Sequence, residues 1–87
     1  MRYYHIQLCC LDEYDVDNAL ALTMYIKNIV EPERNVRFNG TGYDEQGGRL
    51  DIFIDGDILT IDRIVRPILR VSGFWPSHAI VDAPYIN

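Results

Sequence analysis

The order in which apolar spacing changes along the chain predicts an α+β fold of β-α-β-β-α-β order, with a four-stranded antiparallel sheet and two helices on one face. Three observations predict it. Tyr4 to Cys10 and Leu50 to Ile54 alternate with a period of two, while residues 16–30 and 61–69 repeat at three- and four-residue steps. Gly47-Gly48 separates two strand-like runs. With 87 residues the chain has material for one core, so a single domain over residues 1–87 is expected.

The first strand is expected from about 2 to 11, with Tyr4, Ile6, Leu8 and Cys10 facing the core and Tyr3, His5, Gln7 and Cys9 facing away. Asp12-Glu13-Tyr14-Asp15 breaks the alternation. Asp15 is expected to cap the following helix and Asp17 to favour its positive end. Val16, Ala19, Leu20, Thr23, Ile26 and Val30 form one apolar stripe, giving a helix over 16–30 that Pro32 stops.

From Asn35 to Tyr43, Val36 and Phe38 alternate with Arg37 and Asn39 before two glycines weaken or bulge the strand. Beyond the Gly47-Gly48 turn, Leu50, Ile52 and Ile54 are the buried set of a third strand. Thr60 or Asp57 caps a second helix that buries Ile61, Ile64, Val65, Ile68 and Leu69, with Arg63, Arg66 and Arg70 opposite. Pro67 removes an amide from its interior, which requires a kink or a separate first turn. Gly73 suits the left-handed position just past the end. A last strand, Ser77 to Ala83, is expected to bury Ala79, Val81 and Ala83, and Pro84-Tyr85-Ile86-Asn87 forms the tail.

Two β-α-β crossovers joined by a hairpin resemble the ferredoxin-like arrangement, in which the first and third strands are central. The face away from the helices then carries Tyr3, His5, Gln7, Cys9, Arg37, Asn39, Asp51, Phe53 and Asp55. Tyr3, His5, Asp51, Phe53 and Asp55 are its candidate contact residues, for a partner or for a second copy. The architecture also resembles small-molecule regulatory domains of the ACT type, which bind amino acids near the loop after the first strand and dimerise. Here that loop, Leu11-Asp12-Glu13-Tyr14-Asp15, lacks the glycine such a pocket uses. Acylphosphatase is similar in element order, but its glycine-rich anion loop has no counterpart.

Thirteen acids against eight bases give a net charge of −5. Phosphate backbones need a basic stripe, and only Arg63, Arg66 and Arg70 approach one, so direct nucleic-acid binding is not expected. The third strand places Asp51 and Asp55 beside Phe53, which also disfavours base stacking. No apolar run approaches the ~20 residues of a membrane span and no signal peptide is evident, so a cytoplasmic protein is expected. Cys9 and Cys10 are adjacent, a strained disulfide geometry, and read as reduced thiols.

No catalytic, metal-ligating or cofactor-binding residue is expected. His5 and Cys9 stand two pleats apart on one face, roughly 13 Å, too far for mutual activation. Asp51, Asp55 and Asp57 lack calcium-loop spacing, as do Asp12, Asp15 and Asp17, and turn formation or capping accounts for both sets. What remains is acidic surface interleaved with tyrosine: Asp12, Glu13, Tyr14 and Asp17, then Tyr43, Asp44 and Glu45. That composition suits contact with Arg and Lys on a protein. The expected function is therefore a non-enzymatic inhibitor or regulatory subunit of a basic nuclease or nucleic-acid-handling complex, as immunity and phage-encoded inhibitor proteins are. The rival expectation is a homo-oligomeric, small-ligand-sensing domain that dimerises through the sheet face or the strand edges.

Overall fold

The computed structural model describes residues 3–83. The expectations for Arg2 and for the tail Pro84-Tyr85-Ile86-Asn87 lie outside the described residues. The elements are β1 (Tyr3–Cys9), α1 (Glu13–Val30), β2 (Val36–Asp44), β3 (Arg49–Gly56), α2 (Ile58–Arg70) and β4 (Ala79–Asp82). They form an α+β fold with one antiparallel sheet in the order β2-β3-β1-β4, so β1 and β3 are central.

Period-two burial sets the register. Tyr4, Ile6 and Leu8 pair with Ile54, Ile52 and Leu50, and all six are buried on one face of the sheet. Against that face α1 buries Ala19, Thr23, Ile26 and Val30, and α2 buries Ile61, Val65 and Leu69. Ala79 is buried, Val81 and Ala83 are partly so, and Ile80 is exposed, the register expected for β4. β4 is shorter than the 77–83 expected.

Three expectations for α1 are corrected. The helix starts a turn earlier, at Glu13, and its cap is Asp12 rather than Asp15. Asp12 Oδ1 accepts the Asp15 amide at 2.9 Å, while Asp15 Oδ2 reaches back to accept the Leu11 amide at 2.9 Å. Leu20, expected in the core, is exposed. Ala replacing Asp12 is expected to cost about 1 kcal/mol, seen as a lower urea midpoint at unchanged slope. An unchanged midpoint would mean that this bond contributes nothing.

The bulge expected in β2 falls between Phe38 and Gly40, leaving Asn39 as the extra residue. For α2 the cap position is Asp57, whose side chain bonds the Thr60 hydroxyl at 2.7 Å instead of a backbone amide. The helix runs continuously through Pro67, which is on its exposed side, so no separate first turn forms. It ends on i→i+3 bonds from the Val71 and Ser72 amides to the Ile68 and Leu69 carbonyls, and Gly73 follows at φ +86°.

Candidate functional site

Antiparallel pairing brings the ends of separate elements to one end of the sheet. Cys9 is opposite Arg49, Arg49 is opposite Asp44, and Leu8 is opposite Ala79. The β1–α1 loop, the β2–β3 turn and the α2–β4 connection therefore meet there. Two backbone bonds join them: the Cys10 amide to the Gly48 carbonyl at 2.7 Å, and the Cys9 amide to the His78 carbonyl at 2.8 Å. A side chain at Gly48 would meet the Cys10 carbonyl, and its φ of +60° suits glycine.

Asp12, Glu13, Tyr14 and Asp17 thus share an end of the molecule with Tyr43, Asp44 and Glu45, although some 30 residues separate the two groups. All seven are exposed. Asp12 and Asp15 are engaged in capping, and Asp44 Oδ1 accepts the amides of Gln46 and Gly47. Glu13, Asp17 and Glu45 make no ion pair among the described residues. This end concentrates negative charge beside two exposed tyrosines, which steers cationic surfaces toward it.

A cleft of about 390 Å³ opens at the same end, lined among others by Cys9, Tyr14, Asp15, Asn18, Phe74 and His78. A smaller hollow of about 140 Å³ adjoins it on the open sheet face, sharing Cys9 and His78. Sequence spacing does not reveal this cleft, because its walls come from the end of β1 and its loop, the start of α1 and the α2–β4 connection, which only the topology brings together. Cys9 is exposed, whereas burial, helped by the nearby Asp15, raises the Cys10 thiol pKa and keeps that group protonated.

The open face has its own order. His5 stacks on Phe53 with ring centroids 4.5 Å apart, and Tyr3 meets Phe53 edge-on at 6.0 Å. Asp51 is buried there; its carboxylate is 2.8 Å from His5 Nε2 and 3.3 Å from Arg49 Nε. Gly40 and Gly42 stand opposite Phe53 and Asp51 on β2, so that side of the face is bare. Asp55 Oδ1 is buried without a hydrogen-bond partner among the described residues. Asp51 is therefore an internal support of the face, while Tyr3, His5, Phe53 and Asp55 remain partly accessible.

Among the described residues no group of three or more His, Cys, Asp or Glu side chains converges as a metal site would require. Asp51, Asp55 and Asp57 do not converge, and among the described residues no helix is long and apolar enough to cross a membrane. No family model matches the chain, and no curated protein or solved structure is significantly similar to it.

Proposed function

We propose that this protein is a non-enzymatic binding module that engages a basic protein through its acidic loop end, as an inhibitor or regulatory subunit of a nuclease or nucleic-acid-handling complex. One observation carries the reading: Asp12, Glu13, Tyr14, Asp17, Tyr43, Asp44 and Glu45 share one exposed end. Carboxylates there attract Arg and Lys, and exposed tyrosines give them rigid apolar surface to cover. The arrangement is read as ferredoxin-like, on the strength of central β1 and β3 and one helix-covered face. A cytoplasmic setting agrees with the two free thiols.

The test is capture of partners from the native host's lysate by the wild type and by a Glu13→Lys/Asp44→Lys/Glu45→Lys variant, at low and high salt. A basic protein held by the wild type, released by salt and bound at least about tenfold more weakly by the variant is expected. Equal retention by the variant overturns the reading.

The cleft beside Tyr14 and His78 favours a second reading, a homo-oligomeric domain sensing a small ligand, since its volume lies in the range of small-molecule sites. A wild type that captures only itself and elutes as a dimer would favour this second reading over the first.

A further inference from the structure

The middle of the outer surface of α1 is uncharged where a solvent-facing helix is normally charged. Between Asp17 and Lys27 the helix carries no charged residue, although 24% of the chain is charged. Its inner face is already used by Ala19, Thr23, Ile26 and Val30. The outer positions are Leu20, Ala21, Met24 and Tyr25, with Leu20 49%, Met24 54% and Tyr25 56% exposed. α2 solves the same problem differently, by turning Arg63 and Arg70 outward. A helix apolar on both faces is a helix with a second burial surface.

The Lys27 ammonium is 5.9 Å from the Phe38 ring, which turns the strip bearing Met24 and Leu20 toward β2. Seven helical residues back from Lys27 rise about 10.5 Å. Across the bulge at Asn39, Phe38 to Gly42 spans three ladder steps, about 10 Å. Leu20 therefore comes level with Gly42, and one turn further Asp17 reaches the level of Tyr43, which is on the same sheet face as Phe38. The apolar strip thus runs into the acidic end rather than standing apart from it.

We infer that the outer face of α1 docks a basic amphipathic helix of the partner protein, Leu20, Met24 and Tyr25 covering its apolar stripe while Glu13 and Asp17 pair its Lys or Arg. The inference rests on the proposed binding of a basic protein and names the element it presents. Charge and area both favour this occupant over a second copy. An antiparallel pairing of two α1 helices would set Glu13 and Asp17 against a C-terminal end where Lys27 is already bridged to Glu31, and each copy carries −5. Tyr25 and, nearer the acidic end, Tyr14, of about 150–250 Å² each and 56% and 74% exposed, give with Leu20 and Met24 a patch on the order of 400 Å². That suits one helix and falls short of the roughly 800 Å² per subunit of a stable dimer.

The test uses fluorescence anisotropy of a labelled Leu/Lys amphipathic peptide of about five helical turns, beside a shuffled peptide of the same composition and a Leu/Glu analogue. The amphipathic Leu/Lys peptide alone is expected to bind, and Leu20→Glu/Met24→Glu to weaken it at least about tenfold. Glu13→Lys/Asp17→Lys should weaken it and flatten its salt dependence, while Asp44→Lys/Glu45→Lys should leave it within about twofold. Should the first variant lose its circular dichroism signal, Ala21→Arg serves instead. Binding that ignores Leu20, Met24 and Ala21 but vanishes with Asp44→Lys/Glu45→Lys overturns the inference and leaves the acidic-end reading standing. Indifference to both sets of variants overturns the two together. A wild-type dimer that Met24→Glu splits overturns the inference in favour of a second copy.

Discussion

Val replacing Gly56 is expected to remove about 3–5 kcal/mol, most of the stability available to a chain of this size. Gly56 ends β3 at φ +125°, a conformation that L side chains rarely adopt. A Cβ there would collide with the Asn35 carbonyl oxygen and lie 2.9 Å from the Val36 Cα, both of them backbone. Neither can yield alone, because Val36 is Gly56's partner in the sheet and the Asn35 carbonyl accepts the Asp57 amide at 3.0 Å. The collision is therefore transmitted to the start of β2 and to the cap position of α2 at once. Urea unfolding followed by circular dichroism should show the midpoint fall most of the way to zero denaturant. Gly42→Ala is the matched control, since its added methyl meets nothing within 4 Å and its φ is not positive. It should shift stability by less than about 1 kcal/mol. A Gly56→Val midpoint equal to that of the control would disprove the close-approach account.

The sheet was legible because alternation leaves little freedom: one residue of slip would have turned Tyr4, Ile6 and Leu8 out to solvent. α1 was less legible for the opposite reason. A helix apolar on both sides offers two stripes, and period alone cannot say which one the sheet takes, so Leu20 was assigned to the wrong one. Spacing places the cap one turn late because Asp12 and Asp15 are both good capping residues: Asp12 accepts the Asp15 amide, while Asp15 accepts that of Leu11. The seven acidic and tyrosine positions were legible as residue types. Their meeting at one end was not, because it depends on which strand ends are adjacent. The His5–Asp51 contact joins residues 46 apart and follows only from the register of β1 on β3.

Those differences bear on function. The stripe that the sheet leaves unused is the one proposed for docking, and Glu13, Asp17 and Glu45 lie beside it without a capping, turn or ion-pair role among the described residues. Had Leu20 been buried as expected, the outer strip of α1 would stop at Met24, one turn short of Asp17, and the acidic end would stand apart from it. The correction to the core therefore enlarges the candidate interface.

Loss of the Asp62 carboxylate is the second large effect, because one oxygen ties three elements together. Asp62 Oδ1 accepts the Tyr4 hydroxyl at 2.6 Å and the Arg66 Nη2 and Nε at 2.9 and 3.1 Å. The Arg66 guanidinium in turn sits 5.2 Å from the Trp75 ring in the α2–β4 connection. Tyr4 is fully buried on β1, so Asp62→Ala leaves its hydroxyl without this acceptor and should cost about 2–3 kcal/mol. Tyr4→Phe removes donor and demand together and should cost about 1 kcal/mol. Burial first, and then the bond to Asp62 and that residue's charge, raise the Tyr4 pKa well above its ordinary value, with Arg66 opposing. The folded state therefore holds a proton that the unfolded chain releases near about pH 10. The resulting stabilisation is complete below that pH and declines as pH rises past it. Urea midpoints at about pH 8 and about pH 11 should fall more steeply for the wild type than for Tyr4→Phe. Equal falls would mean that the Tyr4 hydroxyl is not held protonated by the fold.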